Sequence, residues 1–397
     1  MKLFSFLVLL SLYFFSVVGQ LPSQDILALL EFKKGIKHDP SGYVLNSWNE
    51  ESIDFDGCPS SWNGVLCNGG NVAGVVLDNL GLSADTDLSA FSNLTKLVKL
   101  SMSNNSITGN LQGSIAEFKS LEFLDISNNL FSSSLPLEIG KVSSLQNLSL
   151  AGNNFSGPIP DSMSEMSSMK SLDLSRNSFS GKLPVSLTKV TSLVSLNLSH
   201  NSFTGKIPKG FELIPALEKL DLHGNMLEGN LDVDFMLFSS ASYVDLSENM
   251  LSSSDSKQKF LPRLSESIKH LNLSHNQLTG SLASGVAEPV FENLKVLDLS
   301  YNQLDGELPG FDFVYDLQVL RLSNNRFSGF IPNGLLKGDS LVLTELDLSA
   351  NNLSGKLAVP IFSFLNKESV ILLMELVACE FTLIIFYLWN WLFMVLN

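Results

Sequence analysis

Hydrophobic residues in the middle of the chain follow a short phrase that returns at a fixed interval. One copy reads Leu193-x-x-Leu196-x-Leu198-x-x-Asn201. The asparagines that close the phrases are 24 residues apart as far as Asn249, and the later spacings are 27, 26, 23 and 26 residues. The eleven copies end at Asn105, Asn129, Asn153, Asn177, Asn201, Asn225, Asn249, Asn276, Asn302, Asn325 and Asn351.

Each phrase predicts a short strand with one buried face, because apolar residues such as Leu196 and Leu198 occupy alternate positions. A single strand cannot cover its own leucines, so neighbouring copies must stack to share one core and a parallel sheet. The asparagine lies where the chain leaves the strand. We expect its side-chain amide to satisfy backbone groups in that turn.

A second phrase follows the asparagine in several repeats, as in Phe179-Ser-Gly181-Lys-Leu183-Pro184. Together the two phrases resemble the plant-specific subclass of leucine-rich repeats. The resemblance implies an α/β solenoid, wound as a right-handed superhelix, with a second short sheet and an N-terminal cap.

The front of the chain resembles the N-terminal cap of plant leucine-rich-repeat receptor-like kinases, among them the guard-cell hydrogen-peroxide-resistance type. The motif Cys58-Pro-Ser-Ser-Trp-Asn-Gly-Val-Leu-Cys67 carries much of this similarity. An open solenoid exposes its core at each end and therefore needs a cap. We expect Ser23 to cap a helix from Gln24 to Lys37, and Cys58 and Cys67 to form a disulfide in an oxidising compartment.

The two ends of the chain differ in composition from the repeats. A short positive start followed by an apolar run predicts a secretory signal peptide. The apolar run from Val370 to Leu396 is long enough for a bilayer, yet it contains Glu375 and Glu380 and no basic residue follows it. The predicted segments are a signal peptide at 1–19, a cap at 20–70, a solenoid of about 11 repeats at 71–357, and an apolar tail at 358–397 that is either a transmembrane segment or a truncation or read-through product.

Charge and motifs exclude several classes of function. The formal net charge of −15 and the pI near 4.7 argue against nucleic-acid binding and against docking on an anionic membrane. The motif set of a kinase domain does not occur in the sequence, and serine and aspartate recur along the repeats, so they specify no catalytic set. We therefore expect no enzymatic activity and no cofactor.

The resemblance implies recognition of an extracellular peptide or protein ligand by a receptor-like chain without a kinase. A leucine-rich-repeat co-receptor kinase is the second expected partner, and the membrane is a partner only if the tail is an anchor. The expected route is the secretory pathway, ending at the outer side of the plasma membrane or in the apoplast. The alternatives are a secreted inhibitor of a cell-wall-degrading enzyme and a truncated, non-functional receptor product.

The position directly before each asparagine varies from repeat to repeat, which favours a role in ligand recognition. A solvated position that simply drifts in sequence would vary as well. The histidines, including His270, are spread over several repeats, so the sequence predicts no metal site. The candidate ligand-binding residues are Arg176, His200, His223, Glu248, His275, Tyr301 and Arg321.

Seven Asn-x-Ser/Thr sequons predict N-glycosylation in a secreted chain. Some of these triplets arise from the repeat consensus itself, and we expect more than half of the sites to carry glycan. The sequons lie at Asn93, Asn104, Asn147, Asn154, Asn197, Asn272 and Asn352.

Overall fold

The computed structural model describes residues 22–49, 57–86, 88–111, 114–231, 238–253, 266–282, 293–309, 316–332, 343–354 and 371–373. The chain divides into two compact units, unit 1 up to Ser132 and unit 2 from Ser133. The predicted signal peptide lies outside the described residues, as does the predicted tail except for Ile371–Leu373. Within the described ranges, no helix is long and apolar enough to cross a membrane.

Unit 1 begins with helix α1 (Gln24–Lys34), whose first turn is capped by the Ser23 hydroxyl accepting from the Ile26 N–H at 3.2 Å. The helix ends three residues earlier than the sequence predicts. The reason is a competing strand, β1 (Ile36–His38), which pairs antiparallel with β4 (Ser83–Asp85).

Aromatic rings fill the core of the cap. Trp48 and Trp62 stack with ring centroids 5.6 Å apart, and Phe32 packs against Trp48 at 6.1 Å. Cys58 and Cys67 form a disulfide with their Cα atoms 6.0 Å apart, next to the Trp62 loop. The cap thus covers its end of the leucine core with large buried rings.

The remaining strands of unit 1 form two small sheets. In one sheet β2 pairs antiparallel with β3, which continues in parallel to β5 and β7. In the other, β4 pairs in parallel with β6, and β6 with β8. A short helix, α2 (Ser89–Ser92), connects the sheets. The strand bounds are β2 Val65–Asn68, β3 Asn71–Val76, β5 Lys99–Ser101, β6 Ser106–Gly109, β7 Phe123–Asp125 and β8 Leu130–Ser133.

Unit 2 repeats one coil of two strands. The first strands of the coils pair in parallel throughout the described part of the unit and form its larger sheet. They are β9 Asn147–Ser149, β11 Ser171–Asp173, β13 Ser195–Asn197, β15 Lys219–Asp221, β17 Tyr243–Asp245, β19 His270–Asn272, β21 Val296–Asp298, β23 Val319–Arg321, β25 Glu345–Asp347 and β27 Ile371–Leu373.

The second strands of the coils form the parallel second sheets that the plant-type resemblance implies. Short 3₁₀ helices, such as Asp161–Glu165 and Val185–Lys189, close several coils. The second strands are β10 Asn154–Gly157, β12 Ser178–Lys182, β14 Ser202–Gly205, β16 Met226–Leu231, β18 Met250–Ser253, β20 Thr279–Ser281, β22 Gln303–Glu307, β24 Arg326–Phe330 and β26 Asn352–Ser354.

The core of unit 2 lies between the two kinds of sheet. Leucines of successive phrases stack on one another, and the rings of Phe155, Phe179 and Phe203 form a column with centroids 6.2 and 6.3 Å apart. This is the stacked-coil β-solenoid that the repeat pattern predicts, because each coil is buried only by its neighbours.

The repeated asparagine joins each coil to the one before it. The Asn201 amide donates to the carbonyl oxygens of Leu198, Ser199 and, in the preceding coil, Leu174, at 3.0 to 3.1 Å. Its oxygen accepts the Phe179 N–H of that preceding coil at 3.0 Å. The predicted role of the asparagine in satisfying turn backbone groups is confirmed.

Candidate ligand-binding surface

The candidate site lies on the solvent side of strands β9 to β25 of unit 2, which we call the strand face. Each strand buries its central residue and leaves the flanking residues toward this face, as Lys219 and Asp221 flank the buried Leu220. We call the last residue of each strand the strand-end position. It is occupied by Ser149, Asp173, Asn197, Asp221, Asp245, Asn272, Asp298, Arg321 and Asp347.

Most strand-end side chains stabilise the turn that follows them. The backbone N–H and the hydroxyl of Ser300 both donate to the Asp298 carboxylate, at 3.0 and 2.6 Å. Ser175 and Ser349 do the same with Asp173 and Asp347. The aspartate and serine repeated along the face therefore serve the fold, which agrees with their consensus character in the sequence.

Asp221 and Asp245 break this regular arrangement. They lie opposite each other on the paired strands β15 and β17, whereas Asn or Arg separates the other aspartates among the described strand ends of unit 2. Both carboxylates are nearly buried, with 5% and 7% exposure, and like charges directly opposite repel each other. The Lys219 amino group lies 3.8 Å from the Asp221 carboxylate and 4.9 Å from the centre of the Tyr243 ring.

His223 stands where most repeats have serine, two residues after Asp221. Its Nδ1 lies 2.6 Å from the Asp221 carboxylate, and its Nε2 lies 2.9 Å from the Nε2 of His200. The hydrogen bond to Asp221 raises the pKa of His223. Because the short Nε2–Nε2 contact needs one donor and one acceptor, only one of the two facing nitrogens carries a proton at a time.

Tyr243 and His270 extend the cluster toward the next coil, with stacked rings whose centroids are 4.4 Å apart. Burial, together with the charges of Asp245 and Asp221, raises the pKa of the Tyr243 phenol. Burial lowers the pKa of His270. The resulting cluster of Lys219, Asp221, His223, Tyr243, Asp245 and His270, with His200 beside it, combines charged and aromatic groups, and we call it the central cluster.

The variable residue before each asparagine, which we call the turn position, has a left-handed backbone. Its φ is 53° at Arg176, 51° at His200 and 54° at Tyr301. This conformation costs a residue with a side chain roughly 1–2 kcal/mol, with glycine and asparagine the main exceptions. Gly152, Gly224 and Asn324 occupy the same position in other repeats with φ between 55° and 65°. The backbone thus constrains a position that sequence variation alone presents as unconstrained.

The predicted binding residues do not converge on one point. His200 and His223 meet in the central cluster, and His275 stacks on Tyr301 with centroids 4.1 Å apart. Arg176 and Glu248 are exposed at turn positions of separate coils.

The guanidinium of Arg321 is already held within the protein. It donates to both oxygens of Glu345 at 2.6 and 2.9 Å and to Asp298 at 3.3 Å, and these bonds raise its pKa. Glu345 thus occupies the Nε and Nη2 edge of the guanidinium, and a ligand carboxylate would have to displace Glu345 to pair with that edge.

Sequence reasoning missed Lys219, Asp221, Tyr243 and Asp245. Two signals in the sequence point to them: the adjacent pair of aspartates in the strand-end row, and the histidine that replaces serine at position 223. Both are departures from the repeat consensus rather than members of it.

The sequons fall in two kinds of environment. Asn93, Asn104, Asn154 and Asn352 are exposed, whereas Asn147, Asn197 and Asn272 are half-buried at the edge of the strand face. The Asn272 amide, to which a glycan would be attached, donates to Asp245 and Ser247 at 3.1 and 3.2 Å. Glycosylation at the four exposed sequons remains the stronger prediction.

Comparison with protein families gives matches along most of the described chain. The leucine-rich-repeat N-terminal domain matches residues 22–68, and leucine-rich-repeat models match 96–118, 120–142, 143–203, 267–288, 293–311, 316–337 and 342–364. The chain belongs to the leucine-rich-repeat family. These matches agree with the stacked coils and with the repeat phrase read from the sequence.

The relatives are plant receptor kinases. The chain is 76% identical over 118 residues to LRR receptor-like serine/threonine-protein kinase GHR1 from Arabidopsis thaliana, a segment that is 30% of this chain and 11% of that protein. The chain therefore matches only a small part of this kinase's length. The predicted resemblance to plant leucine-rich-repeat receptor-like kinases is confirmed.

Solved structures of plant receptors share the fold. The PEPR1-AtPEP1 crystal structure superposes with a TM-score of 0.65 and 27% identity, covering 85% of this chain and 53% of that chain. A TDR receptor superposes with a TM-score of 0.63 and 30% identity, covering 71% of this chain and 48% of that chain. The leucine-rich-repeat fold of this protein is thus similar to the fold of these plant receptor structures.

Proposed function

We propose that the chain recognises an extracellular peptide or protein ligand on its strand face, as part of a plant cell-surface receptor system. Its similarity to a receptor kinase and to two receptor structures, one of them the PEPR1-AtPEP1 structure, supports this proposal. In this proposal the chain acts at the outer surface of the plasma membrane or in the apoplast, after passage through the secretory pathway. It supplies binding and no catalysis, and a leucine-rich-repeat co-receptor kinase supplies the signal.

The observation that carries the proposal is the use of costly side chains at the turn position. Asparagine or glycine would relieve the left-handed backbone, yet Arg176, His275 and Tyr301 are present there. Strained residues concentrate at functional sites, where the surrounding structure holds them in place. A solvated position under no selection for recognition would be occupied most cheaply by asparagine.

The chemistry of these residues suits peptide recognition. Tyr301 is 50% exposed and its ring is held by the stack on His275, so it presents a rigid aromatic surface at small entropic cost. Lys219 on the central cluster and Arg176 at its turn position offer cationic groups on the same face. A ligand with an aromatic or acidic side chain fits such a surface.

The test uses the secreted protein and a displayed library of random peptides. Peptides selected on the unaltered chain should bind Tyr301→Asn and Arg176→Glu at least about tenfold more weakly, a loss of about 1.4 kcal/mol that is expected when an interface anchor is removed. Tyr301→Asn removes the ring and relieves the backbone but also loses the stack on His275, so a thermal melt of the variant must show that it is folded at the assay temperature.

The matched control is Glu228→Ala, which changes an exposed residue on the second sheet rather than on the strand face. This variant should bind the selected peptides like the unaltered chain. Equal binding by Tyr301→Asn, Arg176→Glu and the unaltered chain would contradict recognition on the strand face.

A further inference from the structure

The central cluster contains the donor set of a metal site. A nitrogen of His223 and carboxylate oxygens of Asp221 and Asp245 all lie within 4.8 Å of one another. Asp221 and His223 lie on one coil, and Asp245 lies on the next coil, 24 and 22 residues later in the sequence. Only the stacking of the two coils brings Asp245 to the other two residues. One imidazole and two carboxylates are ligands that zinc and related divalent transition metals take in proteins.

We propose that Asp221, His223 and Asp245 bind a divalent transition-metal ion of the zinc type. The ion would take the place of the proton shared between the His223 Nδ1 and the Asp221 carboxylate, which are 2.6 Å apart. This proposal goes beyond ligand recognition and does not depend on it.

Charge is the first physical reason for a cation at this place. Asp221 and Asp245 are opposite each other and nearly buried, and each buried carboxylate needs a compensating positive charge or hydrogen bonds. The Asp245 carboxylate accepts hydrogen bonds from Ser247 and Asn272. Besides His223, the only cation among the described neighbours of Asp221 is Lys219, whose amino group is half exposed and lies 3.8 Å away. A divalent ion would neutralise both carboxylates at once.

The setting of His200 is the second reason. Its Nε2 lies 2.9 Å from the Nε2 of His223, so it accepts the proton of the ring nitrogen that faces away from the proposed ion. Ligating histidines almost always donate their second N–H to such a partner, which fixes the tautomer and the ring orientation. His200 is therefore a positioning residue, and it acts through His223.

The backbone makes room for this positioning contact. The turn position next to His200 in the following coil is Gly224, and a Cβ added there would lie 2.8 Å from the Nδ1 of His200. Any larger residue at 224 would push the His200 ring away from His223. Gly224, His200 and His223 thus act together across two coils: the glycine leaves space for the His200 ring to contact His223.

The experiment is a Zn²⁺ titration of the full secreted chain by calorimetry at neutral pH after treatment with a chelator. Co²⁺ serves as a second probe, because its visible absorption reports on nitrogen and oxygen ligation. We expect one saturable site for Zn²⁺ per chain. Weaker binding of Zn²⁺ than of Ca²⁺ would overturn the proposal, because imidazole ligation favours transition metals over calcium.

The variants use residues that the chain already tolerates at equivalent positions. His223→Ser places the serine of neighbouring repeats, and Asp245→Asn places the asparagine found at 197 and 272. Each should weaken Zn²⁺ binding by at least about 100-fold, since even partners of a metal ligand typically account for 10- to 100-fold. Both variants should still unfold cooperatively, because neither residue type is new to the fold.

His200→Asn tests the positioning role. It should weaken Zn²⁺ binding about tenfold and shift the Co²⁺ spectrum, without lowering the melting temperature of the metal-free chain. The matched control His38→Asn makes the same change at an exposed residue of β1 and should leave metal binding unchanged. No saturable Zn²⁺ site, or equal affinity in the unaltered chain, His223→Ser and Asp245→Asn, would overturn the proposal.

Discussion

Residues 171–199 and residues 219–247 of unit 2 are two successive strand pairs with the same backbone and different surface chemistry. In the first pair Asp173 lies opposite Asn197, and the turns are closed by Ser175 and Ser199. In the second pair Asp221 lies opposite Asp245, and His223 replaces one serine. The two stretches bury apolar residues at the same strand positions, with Val244 where the first stretch has Leu196, so the fold does not require the second arrangement. The comparison therefore separates the residues that the coil needs in order to fold from the surface residues that are particular to the second stretch.

The largest expected effect tests whether the two stretches really share one backbone framework. Asn201→Leu, two residues after the first stretch, and Asn249→Leu, two residues after the second, should each cost about 3 kcal/mol of unfolding free energy, because each removes four hydrogen bonds and leaves buried backbone groups unsatisfied. Chemical denaturation of the two variants measures the costs. If they differ by more than about 1 kcal/mol, the two frameworks are not equivalent.

The second prediction concerns the strand-end carboxylates. Asp245 accepts bonds from Ser247, Asn272 and Tyr243, whereas Asp173 accepts from Ser175 and only distantly, at 3.5 Å, from Asn197. Asp245→Ala should therefore cost about 2 kcal/mol and Asp173→Ala about 1 kcal/mol. Denaturation midpoints give the order. A larger cost at Asp173 would show that the central cluster is not the more strongly bonded of the two.

A smaller effect of opposite sign is expected at two turn positions, Arg176 inside the first stretch and Glu248 directly after the second. Arg176→Asn and Glu248→Asn should each stabilise the chain by about 1 kcal/mol, because asparagine tolerates the left-handed backbone. Tyr301→Asn should gain less, since it also loses the stack on His275, worth about 0.5–1.5 kcal/mol. Thermal melts can rank the three variants. Destabilisation by Arg176→Asn would contradict strain at this position.

The smallest effect is a pH dependence found only in the second stretch. The raised pKa of His223 means that the folded state holds its proton more tightly than the unfolded state does. The stabilisation is fully present below the ordinary histidine pKa and is lost as the pH rises through the raised value. His223→Ser should therefore be less stable than the unaltered chain in mild acid and differ little from it at higher pH.

His270 contributes in the opposite direction, because its lowered pKa makes the folded state less stable as the pH falls below the ordinary histidine value. The difference between the unaltered chain and His223→Ser cancels the His270 contribution. A difference in unfolding midpoint that does not change between acid and neutral pH would contradict the assignment of the effect to His223.

The repeat phrase predicted the coil because local geometry within one repeat determines where its leucines and asparagines must lie. Leu196 must be buried and Asn201 must bond to its turn, and both requirements can be read from one repeat. The predicted length of α1 was wrong because the helix ends where β1 begins, and β1 forms by pairing with β4, about fifty residues later in the chain. Pairing at such a distance leaves no mark on the local pattern.

The candidate site was less predictable than the fold. Tyr301 and His200 were found because they vary where other repeats have asparagine or glycine, although the left-handed backbone behind that choice was not foreseen. Asp221 and Asp245 each match the consensus, and only their adjacency is unusual. The contact between His200 and His223 depends on the register of two coils, which periodicity alone does not fix at the level of side chains.

The asparagine that joins each coil to the preceding one also sets an order of assembly during synthesis. The Phe179 N–H is satisfied by Asn201, which leaves the ribosome 22 residues later. The Leu174 carbonyl oxygen accepts a hydrogen bond from the side-chain amide of the same asparagine, which lies 27 residues further along the chain. Each coil is therefore completed by its successor, and the growing end of a nascent chain always carries one unfinished turn. During synthesis, the hydrogen bonds of a coil can be completed only after the next repeat has emerged.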